Sequence, residues 1–107
     1  MIEEDMEDSK WQTETISLMP GRTWAKNTGT IAYLTHCSFA VPIDSSSSYF
    51  AVLSAESWDE SITLCTLYPK DSSKKLKIVW GPMQSVFLMN RGNRELTMVI
   101  LTRRITI

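Results

Sequence analysis

Residues 85–102 read SVFLMNRGNRELTMVILT: two apolar runs separated by a short polar segment that holds Gly92 and two asparagines. Gly and Asn tolerate the positive φ of tight turns, so Asn90–Glu95 predicts a hairpin loop between two strands. In the second run Leu96, Met98 and Ile100 share one parity, while Val99 and Leu101 share the other. A strand projects alternate residues to opposite faces, so this one carries two apolar faces. Past Thr102 come Arg103 and Arg104, again on opposite faces, and then ITI. Thirteen residues from Glu95 to Ile107 in one strand would span roughly 43 Å, beyond the usual length. The strand is therefore expected to bend near Thr102, or its end to leave its own sheet. The two arginines read first as guards of an exposed strand edge, and second as partners for acids on another copy.

The same alternation recurs on the N-terminal side. LKIVW (76–80) places Leu76, Ile78 and Trp80 on one face, and Gly81-Pro82 stops it. ITLCTLY (62–68) begins with Ile62 and Leu64 inward, then slips phase, as a bulge near Cys65 would cause. YFAVLSAE (49–56) and TIAYLTHCSFAVP (30–42) are further strands, the latter of mixed phase and expected to be buried on both faces near its middle. WQTETISL (11–18) alternates loosely. Turn chemistry separates them: Pro20-Gly21, Lys26 to Gly29, the serine run after Asp44, Ser57 to Ser61, and Pro69 to Lys75. About seven strands and no sustained 3.6-residue period indicate an all-β single domain, an antiparallel β-sandwich or closed barrel over residues 11–107. Its core is expected to include Leu64, Ile78, Trp80, Phe87, Leu96, Met98 and Ile100. Residues 1–10, with five acids in the first eight, read as a flexible acidic arm.

Apolar residues make up 43 % of the 107 and charged ones 21 %, ordinary values for a folded domain. The net charge of −1 conceals a split: residues 1–69 hold ten acids and three bases, and residues 70–107 hold eight bases and two acids. Opposite halves of this kind attract one another within or between copies. Acids stand where a secretory leader needs a basic start, and no run approaches the roughly 20 apolar residues of a membrane span. Membrane insertion is therefore not expected. Cys37 and Cys65 sit in apolar strand contexts, which favours free buried thiols and a reducing, intracellular site of synthesis.

No constellation for catalysis, metal or cofactor emerges. His36 is the single histidine, and on a strand it points away from Cys37, so the two cannot form a nucleophile–base pair. Two cysteines without Cys-x-x-Cys spacing do not make a zinc site. Asp59 and Glu60, adjacent in a turn, diverge rather than flank a substrate. The chain carries no glycine-rich phosphate loop. The basic residues are the candidate interaction surface: Lys70, Lys74, Lys75, Lys77, Arg91, Arg94, Arg103 and Arg104.

The expectation is a non-enzymatic module that assembles as a homo-oligomer and recognises a protein or surface-receptor partner, comparable in architecture to the projecting heads of capsids and fibres. The alternative is a small nucleic-acid-binding barrel that uses the basic C-terminal half, with Tyr68 and Trp80 beside the lysines for stacking. Alkylation of the unfolded, unreduced protein followed by mass spectrometry should modify both cysteines; if neither is modified, they form a disulfide and the compartment is an oxidising one.

Overall fold

The computed structural model describes residues 10–57 and 59–105. The acidic stretch read as an arm therefore lies, apart from Lys10, outside the described residues, as do Trp58, Thr106 and Ile107. Eight strands form: β1 (Gln12–Leu18), β2 (Thr23–Lys26), β3 (Thr30–Phe39), β4 (Ala51–Glu56), β5 (Ser61–Leu67), β6 (Ser73–Trp80), β7 (Val86–Asn90) and β8 (Leu96–Arg104). The strand not anticipated is β2, four residues between two turns, and it takes Lys26 out of the turn expected from Lys26 to Gly29. It is stabilised by pairing rather than by a long pattern of its own. The turn before it is closed by Arg22 N–H donating to Met19 O at 3.0 Å, with Pro20 and Gly21 at its centre. Gly21 adopts φ 83°, which the third position of a type II turn requires.

Sheet A has the order β1-β8-β3-β6 and sheet B the order β2-β7-β4-β5. All ladders are antiparallel. The pairs β4-β5, β3-β6, β2-β7 and β1-β8 are nested, as if one long hairpin with its tip at Ser57–Glu60 had been rolled into two facing sheets. That is the double-sheet jelly roll. The sandwich anticipated from sequence is thus present, with one strand more than counted.

Rolling the hairpin changes the meaning of several segments. Asn90–Glu95 is not a hairpin loop, because β7 lies in sheet B and β8 in sheet A. Gly92 is not at positive φ either. A Cβ there would overlap the backbone of Phe50 and Ala51, so glycine is needed for close approach rather than for backbone freedom. The segment runs on beside β4, with Arg91 N–H donating to Val52 O and Asn93 N–H to Phe50 O. Asn90 fixes the corner. Its buried Nδ2 donates to Leu18 O at 2.9 Å and Arg94 O at 2.8 Å, and its Oδ1 accepts from Gly92 N–H at 2.9 Å.

The final strand is also placed otherwise than expected. β8 lies between β1 and β3, paired with β1 up to Thr102 and with β3 up to Arg104. Ile105 N–H continues the pairing to Gly29 O. As far as Ile105 the chain stays in its sheet as an inner strand, with Arg103 and Arg104 paired to β3 and beyond the end of the β1 ladder.

Leu96, Met98 and Ile100 are fully buried, together with Leu34, Leu53, Leu67 and Leu88. Leu64, Ile78 and Trp80 are partly buried and pack against this core. Phe87 departs from expectation at 52 % exposed: in β7 it is Val86, Leu88 and Asn90 that point inward. A segment apolar at nearly every position does not disclose its parity. The mixed phase of β3 arises from a register shift between Leu34 and His36, so Ala32 and Leu34 face inward before it, Cys37 and Phe39 after it. Two-sided burial is not needed. A second shift, between Leu53 and Ser54 opposite Leu64, is the anticipated bulge beside Cys65, and it leaves Ile62 exposed rather than inward. Cys37 and Cys65 are free and buried. They meet in the core, where the Cys65 thiol and burial together hold Cys37 protonated.

Asn90→Ala should lower unfolding free energy by about 3 kcal/mol, three hydrogen bonds at about 1 kcal/mol each. Gly92→Ala should cost about 2 kcal/mol or more through backbone overlap. Denaturant midpoints measure both, and an unchanged midpoint for Asn90→Ala would remove the corner's structural role.

Candidate functional site

The outward parity of sheet A carries a row of side chains across all four strands. Leu101 of β8 is flanked by Thr13 of β1 and Tyr33 of β3, and Tyr33 in turn by Val79 of β6. One step further out, Arg103 lies opposite Ile31. Leu101, Tyr33 and Ile31 are half-buried, and Val79 is 57 % exposed. Val99 lies in the next row toward the Asn90 corner, between Thr15 and His36 with Lys75 beyond, and the row after it is Ser17, Thr97 and Ser38, so the face there turns polar. The result is an apolar quadrant on an otherwise hydrophilic face. Within it the Arg103 Nε is buried, with no hydrogen-bond partner among the described residues. A covered N–H without an acceptor costs about 1–3 kcal/mol and more in a charged group.

The eight basic residues singled out from sequence do not share one face. Lys70 lies in the turn closed by Asp71 N–H to Tyr68 O. Lys74 is bound to Asp71 at 2.6 Å. Lys75 and Lys77 point outward from β6, an edge strand of sheet A. Arg94 stacks over the Tyr49 ring, 4.5 Å from its centroid. Arg103 belongs to the apolar quadrant, and Arg104 turns inward to the end of the sandwich. The parity of β8 carried the signal for the quadrant; what sequence reasoning missed was that Tyr33, Ile31 and Val79 sit beside it.

Arg91 reaches along the outer face of sheet B to Glu56. Its Nε donates to Oε2 at 2.9 Å and a terminal nitrogen to Oε1 at 2.6 Å, the forked geometry that suits guanidinium and carboxylate. The Ser54 and Ser61 hydroxyls also donate to Glu56 Oε2. The Arg91 bond first, then the two serines, hold the Glu56 carboxyl down to about 2. Phe87 flanks Glu56 on the same face.

His36 is exposed on the side of β3 opposite to Cys37, with Nδ1 3.3 Å from the Thr35 hydroxyl. It therefore faces neither cysteine. Among the described residues no group of His, Cys, Asp and Glu is arranged to hold a metal ion, and no helix is long and apolar enough to cross a membrane.

No protein-family model matches the chain, and no curated protein matches it in sequence. Solved structures do resemble it. The nucleoplasmin-like N-terminal domain of Drosophila FKBP39 superposes with a TM-score of 0.70 at 8 % identity, over 91 % of this chain and 93 % of that one. The core of Drosophila NLP, a protein described in terms of pentamer formation and histone binding, gives 0.67 at 10 %, over 86 % and 98 %. A cupin domain from an XRE-family transcriptional regulator of Enterobacter cloacae gives 0.52 at 18 %, over 94 % and 87 %. At these identities the likeness establishes the shared fold.

Glu56 titrates far below its ordinary 4.5 when folded, so the stability it confers is complete above that pH and is lost as the pH falls toward 2. Glu56→Gln and Arg91→Met should both flatten the acid limb of the stability–pH curve across this window. An acid limb identical to that of the unmodified protein would show that the pair is not formed.

Proposed function

We propose that this domain is a non-catalytic assembly module whose copies associate through the apolar quadrant of sheet A and whose assembly binds a protein partner. The observation that carries the reading is the row Leu101–Tyr33–Val79, extended by Ile31, around an Arg103 whose buried Nε has no acceptor among the described residues. A second copy supplies what the quadrant lacks: apolar surface over the row and an oxygen acceptor for the guanidinium. Interface centres are built in this way, with aromatic, aliphatic and arginine side chains at the core and polar residues around them. The sheet-A rim supplies that polar surround in Thr15, Thr97 and Lys75.

Support of a second kind comes from the fold. Drosophila NLP, whose core has the same fold, is described as forming pentamers and binding histones, which suits a jelly roll that works by assembling and by presenting its loops. In this chain Lys70, Lys75 and Lys77 have no ion pair among the described residues. Exposed on β6 and in the turn before it, they are available to an acidic partner. The reading gives no role to a reacting group, in keeping with the separation of His36 from both thiols.

Sedimentation equilibrium at micromolar concentration should return a multiple of the single-chain mass. Leu101→Arg should weaken association by about 2 kcal/mol or more, the scale of a central interface residue. Thr97→Arg, on the polar part of the same face, should leave the mass nearly unchanged. A single-chain mass for the unmodified protein would overturn the assembly reading.

A further inference from the structure

Beyond the row of Ile100, the space between the two sheets stops being apolar. The inward parity of β1, β8 and β3 continues as Gln12, Thr102, Thr30 and Arg104, and sheet B faces them with Trp24 and Lys26. Together they line a cleft of about 330 Å³ at the end of the sandwich, with Lys10 and Asn27 also in its wall. Lys26 is only 5 % exposed. Its Nζ donates to two main-chain oxygens, Asn27 O at 2.9 Å and Gln84 O at 2.7 Å. An ammonium has three protons to give, and among the described residues Lys26 has no ion pair with a carboxylate. Glu14 lines the same cleft but accepts from the Thr102 hydroxyl at 3.1 Å.

A buried ammonium held by carbonyls alone retains its full charge, and such a charge is costly unless a counter-charge reaches it. Burial accordingly lowers the Lys26 pKa. Three cations, Lys10, Lys26 and Arg104, stand against the single carboxylate of Glu14 in this cleft. We propose that the cleft is a binding site for a compact oxyanion, with Lys26 as the fixed charge at its wall and Arg104 as the fork at its mouth. Arginine pairs with two oxygens of a phosphate or carboxylate at once, while lysine acts as a point charge. The Thr30 hydroxyl and the Gln12 amide add neutral donors on the sheet-A side. An excess of two positive charges suits a doubly charged phosphate better than a singly charged carboxylate. The site stands apart from the assembly reading, since it lies between the sheets and not on the outer face of sheet A.

The test is a titration of the full chain with inorganic phosphate, and in a parallel arm with acetate, followed by amide resonances at matched ionic strength. Saturable shifts confined to Trp24–Asn27, Thr30 and Thr102–Arg104 are expected, with phosphate the tighter of the two. Tighter binding of acetate would also support the site and assign its ligand to the carboxylates. Lys26→Met should abolish saturation, and Arg104→Gln should weaken binding about tenfold, the scale of one charge-assisted hydrogen bond. Should Lys26→Met fail to fold, the rim variant Arg104→Gln decides, with Arg22→Gln in the turn beside the Asn90 corner as the control that binds normally. Leu101→Arg should bind as tightly as the unmodified chain, which separates failure of this site from failure of assembly. Phosphate shifts no larger than those of sodium chloride, or undiminished binding by Arg104→Gln, would overturn the proposal.

Discussion

The buried amide of Asn90 sits where the chain leaves sheet B for sheet A, and its three hydrogen bonds join β1, the β7 end and the connecting segment. A polar group so deeply covered is tolerated because all its principal valences are met. The corner also sets the phase of β8. From it the strand enters sheet A with Leu96, Met98 and Ile100 inward and Val99, Leu101 and Arg103 outward. A slip of one residue would exchange the two sets. The core, the apolar quadrant and the cleft at the far end therefore depend on one amide and on the glycine two residues beyond it.

Consecutive positions of β8 meet different surroundings because a strand in the middle of a sandwich has one dry face and one face open to association. Ile100 is fully buried while Leu101 is half-buried beside Tyr33. Arg103 and Arg104 repeat the division with charge: one guanidinium lies in an apolar outer patch, the other at the mouth of a polar cleft between the sheets. Adjacent identical residues occupy unlike surroundings by parity alone.

That parity was legible in the sequence for β8 and β6, where polar or dissimilar residues interrupt the apolar ones, and for the bulge beside Cys65. It was not legible in β7, where Phe87 lies among apolar neighbours and the one polar residue, Asn90, shares the inward parity and so points to the wrong phase. Nor do local residues say whether a turn-rich segment sends the chain back along its own sheet or across to the facing one. Asn90–Glu95 looked like the first and is the second, because the deciding contact, Gly92 against Phe50 and Ala51, is distant in sequence. The cleft was hidden for the same reason. Lys26 lies in a strand of four residues, and its companions Glu14, Thr30 and Arg104 come from three other strands.

The nested order of pairing bears on how the chain reaches its fold. The β4-β5 pair is local, closed across Ser57–Glu60, whereas Leu18 must find Leu96 across most of the chain. Loop-closure entropy rises with that distance, and folds dominated by distant pairings form slowly. During synthesis from the N-terminus, β1 and β3 are complete long before β8, the strand that lies between them, has emerged. Until residues 96–104 arrive, both present open hydrogen-bonding edges and uncovered core side chains, the combination that favours pairing with the wrong chain. The newly made protein is thus most vulnerable in the interval between the release of β3 and the insertion of β8.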